Sequence, residues 1–240
     1  MSVNNNLLLF VFLLVSTTAA ALGNNCLSWR LSVETNNLRD WKLIPEECAV
    51  YVGTYIKGGQ YHLDCDTVAN AAIQFAQSVQ VNGDNKDIWV FDIDETALSN
   101  LPFYAKPDVS FGAKPYNWTG LEDWIKEGKA PALAPVLRLY KELVELKYKV
   151  VFLTGAAQKY EKARASNLKN VGYTTWEKLF FKTTADKGTP TRIFKSKKRK
   201  ELEESGYRII GNIGDQWGDL VGECIGNRTF KLPNPMYYVA

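Results

Sequence analysis

The sequence predicts an α/β fold, a parallel sheet with helices on both faces, and three observations carry that expectation. Short apolar runs such as Ile88-Trp89-Val90-Phe91 and Val150-Val151-Phe152-Leu153 alternate with longer segments of helical period. The runs are continuously apolar, which suits strands covered on both faces as in a parallel sheet. Each also ends in polar groups: Asp92 and Asp94 after the first, Thr154 after the second, Asp215 after a later one. In Rossmann-like sheets ligands sit outside the carboxyl ends of the strands, so these distant residues are expected to meet in one crevice.

The bulk properties fit one substantial core: 240 residues, 46% hydrophobic and 12% aromatic. A net charge of +3, from 29 basic and 26 acidic residues spread along the chain, offers no field to attract nucleic acid or an acidic membrane. The one dense basic stretch, Lys195 to Lys200, runs into Glu201, Glu203 and Glu204 and reads as a solvated helix start.

Taken in order, residues 1–21 read as a signal peptide. Leu7 to Val15 is apolar, too short to span a bilayer, and leads into small residues with cleavage expected near Ala20 to Gly23. Residues 22–240 then form a single domain. Its first part, 22–85, is an N-terminal helical arm: a mixed segment from Trp29 to Leu43, then a helical one from Glu46 to Val81. The turn Asn82-Gly83-Asp84-Asn85 precedes a strand from Asp87 to Phe91.

Residues 99–130, rich in Pro, Gly, Tyr and Trp, read as an inserted cap with a short helix near Leu121 to Lys126. A helix follows over Pro135 to Leu146, a strand over Lys149 to Leu153, and a helix over Ala156 to Lys169. Then come a strand over Leu179 to Lys182, a helix over Lys195 to Glu204, a strand over Arg208 to Ile213 and a last short strand over Thr229 to Leu232.

Four cysteines, Cys26, Cys48, Cys65 and Cys224, without any Cys-x-x-Cys pair, point to disulfides rather than zinc. If all four pair, Cys224 ties the N-terminal arm to the C-terminal part, with three connectivities open. The sequons at Asn117 and Asn227 are candidate glycosylation sites and agree with a secreted chain.

Two carboxylates one residue apart at a strand end suit an oxygen-loving divalent ion, with magnesium the first choice because it accepts few protein carboxylates and keeps room for water and phosphate oxygens. The single histidine, His62, rules out a Ser-His-Asp triad and a multi-His dinuclear centre. A carboxylate nucleophile remains, forming an acyl phosphate that water cleaves. Charge on the transferring phosphoryl group calls for a metal, a hydroxyl or amide donor and a fixed cation.

Asp92-Ile93-Asp94-Glu95-Thr96, Thr154-Gly155, a following Lys, and Gly214-Asp215-Gln216-Trp217-Gly218-Asp219 resemble the four ordered motifs of the haloacid dehalogenase superfamily. From about Trp41 to the C-terminus the chain is similar to the plant class B acid phosphatases and vegetative storage proteins, most characteristically in Phe230-Lys231-Leu232-Pro233-Asn234-Pro235-Met236-Tyr237-Tyr238.

That resemblance implies a haloacid dehalogenase type fold and a Mg2+-dependent acid phosphatase. Asp92 would be nucleophile and metal ligand. Asp94 would be general acid and base, and a metal ligand through its carbonyl. Asp215 would be the third metal ligand and Thr154 would hold a phosphoryl oxygen. Asp219 and Gly155 would support them, and Lys195, with Lys198 in reserve, would supply the fixed cation. Asp94 disfavours a dehalogenase, which has no alkoxide to protonate.

The chain departs from its relatives where they commonly carry Arg after the Thr-Gly: Ala156 and Ala157 stand there. Storage relatives can lack the nucleophile, which is present here, so a storage or defence protein is the alternative reading. The expected partners are a small phosphate monoester, no nucleic acid, and no membrane after loss of the leader, with a homodimer left open. The expected destination is the vacuole or the extracellular space.

Overall fold

The computed structural model describes residues 25–239, so the apolar leader and its cleavage region lie outside the described residues. Five strands form one parallel sheet in the order β3-β2-β1-β4-β5. They are β1 (Asp87–Phe91), β2 (Lys149–Ala157), β3 (Lys178–Lys182), β4 (Arg208–Gly214) and β5 (Arg228–Lys231). The predicted α/β class is what this chain adopts.

Strand periodicity divides the core in two. Ile88 and Val90 of β1 pack with Val151, Leu153, Phe194, Leu202 and Ile209 on one face. Trp89 and Phe91 point to the larger core on the other face, where Trp89 stacks on Phe230 at 5.5 Å between ring centroids. Gly211 of β4 makes room for that indole, since a Cβ there would lie 2.4 Å from it.

The N-terminal region contributes a helix α1 (25–34), a 3-10 turn (Glu46–Cys48), α2 (Ala49–Lys57) and α3 (Gly59–Ser78). The single helical segment expected from Glu46 to Val81 is broken at Gly58, which adopts extended backbone and where a Cβ would lie 2.7 Å from the Thr54 carbonyl. Tyr148, just before β2, donates to the Ala76 carbonyl at 3.0 Å and fastens α3 to the sheet.

Between β1 and β2 lie α4 (Leu101–Tyr104), α5 (Trp118–Glu127) and α6 (Ala134–Glu145). Asn117 caps α5 by accepting from the Gly120 amide at 2.8 Å. Further along come α7 (Glu161–Asn170), α8 (Thr191–Glu204) and α9 (Trp217–Leu220).

Three local expectations are corrected. The helix expected from Ala156 starts only at Glu161, because β2 runs on through Ala157, which pairs with Lys182. The helix expected from Lys195 starts at Thr191, directly after Pro190, whose fixed φ suits the approach to a helix start. This shift places Lys195 and Arg199, four residues apart, on the buried face, so only part of the basic run is a solvated surface.

Nor do the four cysteines all pair. Cys26 and Cys48 form a disulfide that ties α1 to the turn before α2, while Cys65 and Cys224 are free thiols. Cys65 lies in the larger core and Cys224 packs against the smaller one. The sheet stands between them.

Candidate active site

The loop after β1 is pulled toward its neighbours by main-chain bonds. The Asp92 amide donates to the Ile213 carbonyl of β4 at 3.0 Å. Glu95 then takes positive φ, and the Leu98 amide reaches back to the Ile93 carbonyl at 2.8 Å. The chain folds on itself here instead of entering a helix directly, so Asp92 and Asp94 cap none. Both carboxylates line a cleft of about 650 Å³ above the strand ends.

Thr154, Lys195, Asp215 and Asp219 line the same cleft. Of the predicted set, Asp92, Asp94, Thr154, Gly155, Lys195, Asp215 and Asp219 all come together. Lys195 donates to Asp92 Oδ1 and to Asp219 Oδ1, the latter at 2.6 Å. Lys198 instead pairs with Glu201 at 2.8 Å on its own helix. Asn117 lies at the start of α5 and Asn227 is exposed before β5, both apart from this group.

Asp219 serves two neighbours: Oδ1 accepts from Lys195, and Oδ2 accepts from the Gln216 amide at 3.0 Å, closing the first turn of α9. Gly214 permits this approach, because a Cβ there would meet Asp219 Oδ2 at 2.4 Å. Gly155 is required in the same sense, since a Cβ would lie 2.7 Å from the Thr191 side chain. Asp215 accepts from Gln216 and Asn234, each at 2.7 Å, and from Thr96 at 3.3 Å.

The electrostatics follow from burial. Enclosure and the facing Asp219 push the Asp215 carboxyl up to about 6. Enclosure also raises Asp92 well above the ordinary carboxylate range, against the pull of Lys195. Burial works to lower the Lys195 ammonium, but Asp219 and Asp92 outweigh it and hold the group above its usual value. Burial together with Asp94 and Asp215 takes Glu95 up to about 8.

Oxygens of Asp92, Asp215 and Asp219 lie within 4.8 Å of one another. Three buried carboxylates thus face one ammonium, a surplus of negative charge that a divalent cation would offset. The donors are all oxygen, which suits a hard ion such as Mg2+. Asp92 and Asp215 of the expected ligand set stand in this cluster, joined by Asp219, and the Asp94 carboxylate pairs with Arg164.

Sequence reasoning missed several groups around the cleft. Asn100 donates to Asp94 Oδ1 at 2.8 Å and to Glu95 at 3.0 Å, and accepts from Trp124 at 2.9 Å. Arg164, buried in α7, pairs with Asp94. Lys182 puts a second cation on the cleft wall, its Nζ bonded to the Thr189 carbonyl at 2.8 Å and Thr191 at 3.1 Å. Asn234 and Tyr237 arrive from the characteristic C-terminal segment, where Tyr237 donates to Glu95 at 3.2 Å and stacks on Tyr104 at 5.4 Å. Apart from Lys182, the last residue of β3, none stands at a strand end, and only the C-terminal run was marked beforehand, by resemblance.

The family model for the HAD superfamily, subfamily IIIB (Acid phosphatase) matches residues 12–240. Acid phosphatase 1 of Solanum lycopersicum is 44% identical over 89% of this chain and 83% of its own. Vegetative storage protein 1 of Arabidopsis thaliana is 40% identical over 90% of this chain and 79% of its own. Among solved structures, the tungstate-bound class C acid phosphatase of Bacillus anthracis superimposes with a TM-score of 0.66 at 22% identity, covering 80% of this chain and 86% of that one.

Proposed function

Because the chain belongs to the acid phosphatases of HAD superfamily subfamily IIIB, we propose that it hydrolyses small phosphate monoesters by direct attack of Asp92 on phosphorus. One observation carries the assignment of roles: Lys195 bridges Asp92 and Asp219 in the cleft that Asp94, Thr154 and Asp215 also line.

In this reading an Asp92 oxygen forms the bond to phosphorus while the ester P–O bond breaks, and Asp94 gives its proton to the departing oxygen. The Asp94 carboxylate then accepts a proton from water as that water attacks the phospho-aspartate, releasing phosphate and restoring Asp92. Thr154 and Lys195 hold the phosphoryl oxygens and balance their charge. Asp92, Asp215 and the Asp94 carbonyl would hold Mg2+, with Asp219 beside them, and the ion when bound would supply positive charge for the phosphoryl oxygens.

The cleft wall favours leaving groups with a flat apolar face. Tyr104, Tyr116, Trp118, Tyr160 and Tyr237 line it, and Trp118 is 73% exposed at the rim. For cellular context, the Cys26–Cys48 disulfide, the sequons at Asn117 and Asn227 and the similarity to a Stem 28 kDa glycoprotein of Glycine max support a secreted, glycosylated protein of the vacuole or extracellular space.

A second reading, an amino-acid reserve with residual turnover, is favoured by the 40% and 39% identity to two vegetative storage proteins. The separating experiment is a phosphate-monoester assay across about pH 4 to 8, with and without Mg2+, on the wild type and Asp92→Asn. Turnover that requires Asp92 supports the enzyme. Equal and negligible turnover in both proteins leaves the storage reading standing.

A further inference from the structure

Arg164 stands in the first turn of α7, where a positive charge opposes the helix dipole. It is 1% exposed, and its Nη2 donates both to Asp94 Oδ1 and to Asn100 Oδ1, the latter at 3.1 Å. Its Nε and Nη1 are enclosed and donate to nothing among the described residues. Buried, unpartnered donors are costly, and a buried ion pair seldom repays its desolvation. Asp94 does not need the pair for its own solvation, since its side chain is 25% exposed. Stability therefore gives little reason for a guanidinium here.

What the arrangement does is fix one oxygen. Asp94 Oδ1 accepts from both Arg164 and Asn100, whereas among the described residues Oδ2 is reached only by the Thr154 hydroxyl at a long 3.5 Å. Asn100 is itself held by Trp124 of α5, so the clamp connects the segment over the cleft to the acid beneath it. Neither Ala156 nor Ala157 can supply a cation on the β2 side of the cleft.

We propose that Arg164 is a positioning residue: with Asn100 it holds Asp94 through Oδ1 so that Oδ2 faces the leaving-group oxygen. This rests on the reading of Asp94 as general acid. Arg164 touches no substrate in this role. It sets the direction from which the proton arrives.

The test compares two aryl phosphates, phenyl phosphate, whose leaving oxygen needs a proton, and 2,4-dinitrophenyl phosphate, whose leaving group departs without one. Wild type, Arg164→Met and Arg164→Lys are measured with Mg2+ present, alongside their melting temperatures. For Arg164→Met the expected result is a loss of about 10²-fold in kcat/KM on phenyl phosphate, the size of a general-acid contribution, with little change on the dinitrophenyl ester. Arg164→Lys should recover part of the loss, and it reads the same comparison if the Met variant does not fold. Equal losses on both esters, or none on either, overturn the positioning role. A wild type that turns over neither ester overturns the phosphatase reading instead.

Discussion

Lys195 Nζ lies 2.6 Å from Asp219 Oδ1, and the same ammonium donates to Asp92. This joins the second turn of α8 to the first turn of α9 and to the end of β1, with all three side chains less than a tenth exposed. Replacing the lysine therefore removes the fixed cation and leaves two buried carboxylates in mutual repulsion. Lys195→Met should reduce kcat by about 10²- to 10³-fold, the usual cost of losing one preorganised electrostatic contact. Lys198→Met, which breaks only a pair with Glu201, should leave kcat near the wild-type value. Steady-state kinetics of the two variants check this, and equal losses would contradict the assignment.

The surplus of buried negative charge gives a second expectation. Mg2+ should stabilise the fold, because an ion that binds only the folded chain shifts unfolding by mass action. At a hundredfold excess over its Kd the gain is about 2.7 kcal/mol, or about 5 to 10 °C in Tm for a chain of this size. Thermal melts in EDTA and in Mg2+ measure it, and Asp215→Asn should abolish most of the rise. Identical melts in the two buffers would argue against a divalent-cation site at Asp92 and Asp215.

The strand-end residues were legible in the sequence because a parallel sheet fixes where its strands stop, whatever the loops do. Asp92 and Asp215, each directly after its strand, needed only that rule, whereas Thr154 lies within β2, which runs on to Ala157. Lys195 was harder, since its inward direction depends on α8 starting at Thr191 and not at Lys195 itself. Arg164 and Asn100 were invisible for a different reason. Arg164 sits on a helix of low apolar content, and its partner lies 64 positions away, so no local pattern marks either residue. The face of the sheet that each thiol reaches sets Cys224 apart from Cys26, Cys48 and Cys65, which the cysteine count alone does not show.

Ala156 lines the cleft two residues after Thr154, and its amide donates to the Thr154 hydroxyl at 3.0 Å. Ala156→Arg leaves that main-chain bond in place and adds a guanidinium to the wall. A charge-assisted bond to a phosphate oxygen contributes about 1.5 kcal/mol or more, so KM for small monoesters should fall roughly tenfold. An unchanged KM across several esters would show that Arg at this position does not reach the phosphoryl group.

Acid tolerance should depend on Asp87. Burial acts to raise this carboxyl, but Arg208 Nε at 2.6 Å and the Asn82 amide at 2.8 Å outweigh it and hold it below the ordinary value. A depressed folded pKa means stability that is present above the unfolded value near pH 3.9 and is lost as the pH falls through the folded one. The size is about 1 kcal/mol, at the low end for a charged hydrogen bond because the Arg208 side chain is 40% exposed and screened. Urea melts should show Asp87→Asn less stable than wild type at pH 7, with the gap closing below about pH 3.9. A gap that persists at low pH would assign the loss to packing.

The attack of Asp92 on phosphorus is tested most directly by looking for the bond it forms. Protein mixed with excess phosphate monoester and Mg2+, quenched rapidly in acid and digested, can be examined by mass spectrometry for a phosphoryl group on the peptide containing Asp92. The expected result is a phosphorylated Asp92 peptide in the wild type, absent from Asp92→Asn, whose turnover should fall by about 10⁴-fold or more. Steady turnover with no phosphoryl group on that peptide at any quench time, or equal labelling of the Asn variant, would contradict it.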